Sequence, residues 1–465
     1  MVVTCGLFTE GRRVEGAMTK ERKDINTLTD DELADYIHAL NILRARSQQN
    51  PDDQTGYDFQ AGLHNDPFIG PCEHGNDLFF AWHRAHLYYF EQLLQEADPP
   101  RTANVTIPYW DWLHPEMNGR FPKAFATPGL FKPGRNENPA PGSPGEKLPA
   151  NTLEIVTEET DWNAFGGYPK GDPRGNFGRL EFGPHNDMHS FFIVGDMGSP
   201  ATAANDPIYF SFHCFIDLLW AEWLRRNNAP PPTSPEADLR GFLEKPKHKV
   251  QDFQSTLDLG YEYKYTTQLE EAFDIVVVLR TIRRPPVRER RELIATQEAL
   301  QPQPLPPLFT DTMASELRRT SHVEFAFPAP PAPTAAAVVR LQDLKVPTRW
   351  SYMLRAYVHP KDVPFDKDDA NFERRYFVDY VVLWVSHDQD HAVHHPSEGQ
   401  AHHPTVGTVR FDVTDSLIGL TPEAISNLVL TLRYIASPVP AGEPAPVLDL
   451  LEEVELDDVL LEAYT

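Results

Sequence analysis

The chain has 465 residues and a formal net charge of −26 at pH 7. This acidity argues against nucleic acids and anionic membranes as partners, because both repel a negative surface, and no apolar run approaches the roughly 20 residues of a spanning helix. Three cysteines are too few for a disulfide framework. The first residues lack a basic end followed by an apolar run, so we see no secretory signal and expect a cytoplasmic protein.

The predicted elements of the first half are helices. Residues 29–46 begin with a capping-box pattern and continue with apolar residues at helical spacing. Residues 78–97 form a strongly apolar stretch that ends before two prolines, and residues 207–226 open with a proline and close with two arginines. A shorter helix is predicted over 185–192, again after a proline. Glycine, proline and asparagine over 117–178 predict long loops around this helical core.

The composition changes along the second half of the chain. Residues 1–268 are predicted to form the helical domain, and 269–335 are a charged, proline-broken segment that is either an interdomain connection or strands that the pattern does not place. Residues 336–465 contain β-branched and aromatic runs with partial alternation, which predict an all-β, sandwich-like domain. Its acidic tail, 448–461, is expected to be a short amphipathic helix. The predicted strands are 350–359, 376–385, 407–413 and 428–435.

Two groups of three histidines occur about a hundred residues apart. The second group consists of His185, His189 and His213. Its first two members are four residues apart, which places both rings on one helix face about one turn apart. His83 and His213 lie on the two long apolar helices. Helices that turn histidines inward can build a metal site in the core of a four-helix bundle. The groups are His64, His74 and His83, and His185, His189 and His213.

Both groups consist of imidazoles, without a carboxylate or a thiolate. Imidazole ligands suit copper, zinc and iron, and copper binds tightest in the divalent series. Three protein ligands leave a coordination position for an exogenous molecule, as reactive sites require. The pattern therefore predicts two metal ions with open positions. A zinc hydrolase is a rival interpretation, which would need a carboxylate base beside one three-histidine site.

The sequences around these histidines resemble the type 3 copper family, which comprises tyrosinases, catechol oxidases, related polyphenol oxidases and haemocyanins. Residues 72–74 and 80–91 look like the copper A region of that family, and residues 184–189 and 206–217 look like its copper B region. The last run reads Asp-Pro-Ile-Tyr-Phe-Ser-Phe-His-Cys-Phe-Ile-Asp and is the most specific of these matches. The resemblance covers roughly residues 20–265.

The resemblance implies two copper ions, copper A held by the first group and copper B by the second, with O2 bound between them. It also implies oxidation of o-diphenols to o-quinones and, in tyrosinases, hydroxylation of monophenols.

Glu181 and Asn186 resemble a pair that, in tyrosinases, binds a water able to deprotonate a phenol. The alternative is that Asn186 caps a helix and Glu181 faces solvent. Two positions depart from the family, because Phe212 stands where a histidine is common and Tyr209 where a phenylalanine is common.

Cys72 and His74 are two residues apart, so in an extended segment their side chains share one face. Many members of the family carry a cysteine–histidine thioether at this place, and we predict one here; a buried free thiol is the alternative. The first copper A ligand is assigned to His64, because the competing His38 falls on the expected surface of the opening helix.

The β domain loosely resembles the one that lies over the copper entrance in plant polyphenol oxidases and haemocyanins, with one side chain inserted as a placeholder. The sequence does not identify that side chain. A histidine-rich loop, 387–403, is either a copper-binding tract or a solvated connection between strands. The resulting hypothesis is a copper-dependent polyphenol oxidase or tyrosinase that oxidises small phenols with O2 and is made in a latent form. A haemocyanin-like O2-binding protein and an o-aminophenol oxidase are the alternatives.

Overall fold

The computed structural model contains a helical domain followed by a β domain. Among the residues that it describes, no helix is long and apolar enough to cross a membrane. The histidine-rich loop over 387–403 lies outside them. The described residues are 19–64, 71–114, 119–170, 172, 177–228, 234–273, 293–297, 322–327, 336–345, 351–366, 369–384, 405–437 and 458–464.

The helices of the first domain surround one apolar core. They are α1 (Asp30–Gln49), α2 (Tyr57–Leu63), α3 (Phe79–Gln95), α4 (Pro99–Thr102), α5 (Thr152–Glu158), α6 (Trp162–Gly166) and α7 (Ile208–Arg226). Short 3-10 turns lie at Ile25–Thr27, Lys123–Ala126, Pro144–Glu146, Gly195–Gly198, Ala203–Asn205 and Val250–Phe253. Helices α3 and α7 pack together and are buried along most of their length, which explains why apolar residues occupy so many of their positions.

The three long helices predicted from the sequence are confirmed. Thr29 caps α1, because its hydroxyl accepts the Glu32 N–H at 3.2 Å while the Glu32 carboxylate accepts the Thr29 N–H at 2.9 Å. At the start of α7, the Asp206 carboxylate accepts the Ile208 N–H at 3.0 Å and pairs with the buried Arg135 at 2.6 Å. These bonds fix where α7 begins, and so they set the position of the histidine in its second turn.

The helix predicted over 185–192 differs from the expectation in its type. Two π-helical segments, Glu181–His185 and Met188–Ile193, take its place. Pro184 lies inside the first segment, and a proline has no N–H for the bond to the preceding turn, which favours a wider winding there. Such turns are rare and occur often at functional sites. Both segments are buried, so the protein encloses the histidines that they carry.

In its described residues, the β domain contains two four-stranded antiparallel sheets. Two short strands, β1 (Lys20–Arg22) and β2 (Tyr261–Tyr263), pair with each other in the helical domain. The strands of the β domain are β3 (Leu293–Gln297), β4 (His322–Ala326), β5 (Ala336–Lys345), β6 (Tyr352–Pro360), β7 (Phe377–Leu383), β8 (Thr405–Asp412), β9 (Leu428–Ala436) and β10 (Asp458–Tyr464). One sheet has the order β3–β10–β5–β8 and the other β4–β9–β6–β7. Val339 and Leu354, from different sheets, belong to one apolar cluster, so the sheets share a core. Three short helices accompany them, Ala370–Tyr376, Thr414–Leu417 and Pro422–Ser426.

Two of these strands come from the segment 269–335. β3 pairs with β10, and β4 pairs with β9, so these two strands belong to the β domain, whereas Leu269 and Phe273 at the start of the segment pack in the core of the helical domain. The helix expected over 448–461 is wrong at its described end, because residues 458–461 belong to β10, which lies between β3 and β5. Pairing on both sides satisfies the backbone of β10, whereas a short helix is marginal on its own. The local pattern could not reveal these partners, since both lie more than a hundred residues away in sequence.

A buried charge network joins α3, α7 and the β1–β2 pair. Asp217 on α7 accepts bonds from Arg84 Nε at 2.5 Å and from the Tyr261 hydroxyl at 2.7 Å. Arg22 bonds Glu91 at 2.9 Å, and its guanidinium carbon lies 3.6 Å from the centroid of the Tyr261 ring. Because Arg84 and Glu91 are both on α3, the network ties together the two helices at the centre of the domain.

We predict that Asp217→Asn lowers the free energy of unfolding by about 3–5 kcal/mol, because the buried Arg84 loses its counter-charge. Urea unfolding of the metal-free protein measures this loss. Arg101→Gln is the matched control, since Arg101 is 43% exposed and pairs with Asp35 at the surface, where such pairs contribute about 1 kcal/mol or less. A loss for Asp217→Asn no larger than that of the control would contradict the assignment.

Candidate metal centre

Six histidine side chains converge in one part of the helical domain. Within each group of three, the candidate donor atoms all lie within 4.8 Å of one another. Five of the rings are buried and the sixth, His74, is partly buried. The first group consists of His64 after α2, His74 before α3 and His83 on α3; the second consists of His185 and His189 on the π-helical segments and His213 on α7. The structure thus assembles both groups that the spacing indicated.

The two groups lie side by side. The rings of His83 and His213, one from each group, are stacked with centroids 4.3 Å apart and an interplanar angle of 5°. His74 and His185, again one from each group, have ring centroids 5.8 Å apart. Two ions bound by these groups would therefore be close neighbours.

Hydrogen bonds from Nδ1 orient four of the rings. An oxygen that can only accept fixes the hydrogen on Nδ1 and leaves a lone pair on Nε2. The acceptors are the Pro200 carbonyl for His64 (3.0 Å), the Phe79 carbonyl for His83 (2.8 Å), the Asn186 side-chain oxygen for His185 (2.8 Å) and the Met197 carbonyl for His189 (2.8 Å). Among the described residues, Nε2 of His64, His83 and His185 has no hydrogen-bond partner. Such buried, unpartnered nitrogens fit metal coordination.

Burial also keeps these rings neutral. It lowers the pKa of His64 to about 4 and the pKa of His185 to about 3. Burial, reinforced by neighbouring imidazoles, holds the pKa of the other four rings well below the ordinary histidine value. A metal ion binds neutral imidazole, so protons compete weakly for these ligands at neutral pH.

Aromatic side chains pack around the ligand rings. The Tyr209 ring centroid lies 4.8 Å from that of His64 and 4.3 Å from that of His213. Phe212 meets the His189 ring edge-on at 4.9 Å. The two positions that depart from the family signature therefore pack against the histidines and displace none of them.

Glu181 and Asn186 lie beside the second group, and each is buried. One Glu181 oxygen accepts the Gly75 N–H at 2.8 Å, and the other has no partner among the described residues. Burial raises the pKa of Glu181 well above its ordinary value, so this carboxylate takes up a proton more readily than a solvent-exposed one. Asn186 accepts from His185 and donates to the Val382 carbonyl at 2.7 Å. The solvent-facing alternative for Glu181 is wrong, because only 1% of the residue is exposed.

Trp384, directly after β7, covers the histidine pocket. Its ring stacks on His189 with centroids 3.9 Å apart and an angle of 23°, and it lies 5.4 Å from His74 and 5.6 Å from His185. The indole N–H donates to the Gly198 carbonyl at 3.0 Å. Although it follows a strand of the β domain, Trp384 packs against the core of the helical domain. The sequence did not single out this residue, because a tryptophan at a strand end is ordinarily a packing residue.

Further contacts around Trp384 join the two domains. Phe191 packs with Val382 in a small apolar cluster, and the Tyr380 hydroxyl lies 3.3 Å from the Asn151 side-chain oxygen. Arg179 and Asp379 form an ion pair at 3.6 Å across the boundary. The covering residue therefore belongs to an extended interface with both apolar and charged contacts.

Two alternatives left by the sequence concern the first group. His38 bonds Asp98 at 2.9 Å and is about one-third exposed, whereas His64 lies in the first group. Cys72 is fully buried two residues before His74, and the thioether between them stays a prediction.

Two neighbouring groups of three histidines in a helical scaffold are the arrangement of a candidate dinuclear metal site. The model of the tyrosinase family, described as "Common central domain of tyrosinase", matches residues 54–154 and 142–226. These ranges contain all six histidines. The chain is 29% identical over 294 residues to a tyrosinase of Hahella sp. (strain CCB-MM4), covering 52% of this chain and 63% of that protein. It is 29% identical over 301 residues to the chloroplastic polyphenol oxidase B of Solanum lycopersicum, covering 53% of this chain and 50% of that protein.

Solved structures show the same fold over almost the whole chain. Latent apple tyrosinase has a TM-score of 0.64 at 17% identity, covering 96% of this chain and 98% of its own. A latent aurone synthase, a polyphenol oxidase, has a TM-score of 0.66 at 17% identity, covering 98% and 92%.

Over residues 54–226, which contain both histidine groups, the chain is therefore similar to the type 3 copper family of tyrosinases and polyphenol oxidases, whose dicopper centre would correspond to these groups. The sequence matches span about half to two-thirds of those curated relatives. The name of the tomato relative assigns that protein to the chloroplast, so the cytoplasmic location expected for this chain stays a prediction.

We predict that the protein retains one copper ion per histidine group, two in all, and that His83→Ala or His213→Ala reduces the content to about one. Each change leaves one group with two ligands, which no longer complete a three-histidine site. Elemental analysis after gel filtration measures the content. His38→Ala is the control, because His38 belongs to neither group, and equal copper in all three variants would argue against the assignment.

We predict that copper-loaded protein exposed to O2 contains a thioether between Cys72 and His74. Mass spectrometry should find the peptide that carries both residues lighter by two hydrogen atoms and resistant to alkylation, since no thiolate remains. The peptide with Cys214, whose thiol bonds the Ile107 carbonyl at 3.3 Å, should alkylate after unfolding and serves as control. An alkylatable Cys72 in protein with full copper content would show that the link does not form.

Proposed function

We propose that the protein is a copper-dependent polyphenol oxidase or tyrosinase that oxidises small o-diphenols, and monophenols once activated, to o-quinones with O2. The supporting observation is the pair of adjacent, neutral three-histidine groups with unpartnered ring nitrogens. Copper suits an all-imidazole ligand set and is the metal of the family. Helices α1, α2, α3 and α7 act as the four-helix bundle that carries the site, and the two sheets act as a sandwich that shields it.

Copper would supply O2 binding and the acceptance of electrons from the phenol. The protein's own contribution is to orient the ligands and to keep the pocket dry. Nδ1 bonds to fixed oxygens hold the rings in place before any metal arrives. Tyr209 and Phe212 fill the space behind the rings, which excludes water and strengthens electrostatic interactions inside the pocket.

For monophenols we propose that Glu181 and Asn186 handle the phenolic proton. With the β domain displaced, the Asn186 amide N–H loses the Val382 carbonyl and becomes free to donate to a water. The unpartnered Glu181 oxygen accepts a hydrogen bond from that water. The water takes the proton of the incoming phenol and passes one of its own protons to the Glu181 carboxylate. Oxidation of o-diphenols depends less on this pair, so the two activities separate in variants of Glu181.

We further propose that the β domain keeps the enzyme latent. Trp384 stacks on His189, which is the way a flat phenol ring would pack against the site. Substrate and Trp384 therefore compete for one surface, and activity requires that this side chain withdraw.

We predict that Trp384→Ala raises catechol turnover by the copper-loaded, full-length protein roughly thirtyfold. An aromatic anchor at the centre of an interface contributes about 2 kcal/mol or more to docking, and each 1.4 kcal/mol is a tenfold change in the population of the open form. Oxygen uptake with a catechol measures the rate.

The matched control is Phe372→Leu, which disturbs a side chain that packs on Tyr357 and His359 inside the β domain. It should leave turnover near that of the unmodified protein. If Trp384→Ala were as inactive as the unmodified protein while containing full copper, the latency proposal would be abandoned.

A haemocyanin-like O2-binding protein is the second candidate, and one observation favours it. The stacking of Trp384 on His189 occupies the place of a phenol ring, whereas O2 is far smaller than a phenol. Such a protein would take up O2 reversibly and would oxidise neither a catechol nor an o-aminophenol after Trp384→Ala. The same oxygen-uptake measurement, with both substrates, therefore decides among the three functions.

A further inference from the structure

The Asn186 side chain connects a histidine of the second group to the β domain. Its oxygen accepts the His185 Nδ1–H at 2.8 Å, and its nitrogen donates to the Val382 carbonyl at 2.7 Å. Asn186 is 2% exposed, so water does not readily replace either partner. One amide group thus bridges a candidate metal ligand and the backbone of β7.

This bridge transmits orientation because an amide is planar. When the Val382 carbonyl fixes the nitrogen of Asn186, the direction of its oxygen is fixed as well. The oxygen in turn sets the rotation of the His185 ring and increases its strength as a ligand. Withdrawal of β7 would free the amide to rotate and would remove this restraint from His185.

The contacts of the β domain are stronger on the second group than on the first. Trp384 stacks on His189 at 3.9 Å and 23°. Its ring centroid lies 5.4 Å from His74 at an angle of 81°, and 5.9 Å from His64. Two of the three rings in the second group are therefore held by the β domain, one through Asn186 and one through stacking.

We propose that Asn186 is a positioning residue that couples docking of the β domain to metal retention by the second histidine group. Docking raises the affinity of His185, His189 and His213 for their ion, and that ion tightens docking by the same factor, because a coupling between two binding equilibria is reciprocal. This inference rests on the proposed copper-binding function. The closed protein is then the form that conserves its metal, and opening makes one site labile while the other stays unchanged.

The test is hydrogen exchange of the backbone amides in β7, measured by mass spectrometry on full-length protein with and without copper. In the unmodified protein, copper should slow exchange over 377–383 about fivefold or more, the lower end of ordinary coupling. In Asn186→Ala, copper should slow this exchange clearly less than in the unmodified protein, because only the stacking of Trp384 on His189 then links the β domain to the second group. Asn186→Asp keeps an acceptor for His185 but removes the donor to Val382, so it should weaken the coupling in the same way. This second variant serves as the test where the alanine variant folds poorly.

Asp379→Asn is the matched control. It removes the interdomain ion pair with Arg179, but it does not change a side chain that bonds a histidine of either group. Exchange over β7 should become faster in both states, while the ratio between copper-loaded and metal-free protein stays that of the unmodified protein. A merely structural effect of Asn186 would instead resemble this control.

Copper release into an excess of chelator provides the second readout. Asn186→Ala should release one ion about 10- to 100-fold faster than the unmodified protein and the other ion at the unmodified rate. To identify the fast ion, Asn186→Ala is combined with His83→Ala, which leaves only the second group able to hold an ion. The remaining ion should then be the one that is released fast. Protein that loads both ions but shows no effect of copper on β7, or the same effect in Asn186→Ala, overturns the coupling and leaves the proposed function standing. Protein that binds no copper overturns both.

Discussion

The structure depends on one constraint, which is that several buried imidazole nitrogens must remain without a hydrogen-bond partner. Burying a polar atom in this way costs free energy, and the cost recurs at His64, His83 and His185. The protein meets it with rigid surroundings, because α3 and α7 are tied by the Asp217–Arg84 bond and cannot move apart to let the rings find other partners. A metal ion would supply the missing partner, so the same rigidity that destabilises the metal-free site would prepare it for binding.

One short loop serves both histidine groups and the cover. The carbonyls of Met197, Gly198 and Pro200 accept from His189, Trp384 and His64, respectively. The chain enters this loop through Val194, whose φ of 62° is unusual for a β-branched residue. Gly195 follows with a φ of 61°, and a Cβ there would lie 2.9 Å from the Gly134 carbonyl oxygen, so only glycine fits. The backbone conformation of this turn is thus part of the site, although its side chains touch little of it.

The parts that could be predicted from sequence are those with local signals. The capping box of Thr29 and Glu32 marks the start of α1, and histidine spacing with its surrounding motifs predicts both groups. The π-helical winding around Pro184 was not predicted, because the i, i+4 spacing of His185 and His189 suits either kind of helix. Strands β3 and β10 and the covering role of Trp384 depend on partners that are distant in sequence, and no local pattern encodes such partners.

The composition of the domain interface bears on whether the cover can open. An interface that resembles a domain core is permanent, whereas one with polar and charged contacts can separate. Here the apolar contact of Phe191 and Val382 is accompanied by the Arg179–Asp379 pair and by hydrogen bonds to backbone carbonyls. Trp384 adds stacking on a neutral ring and a single hydrogen bond, which an aromatic substrate could partly replace. An ion pair at this place over the histidines would leave an unpaired charge behind on opening, so a neutral aromatic side chain suits the proposed cover, which must both close the site and release it.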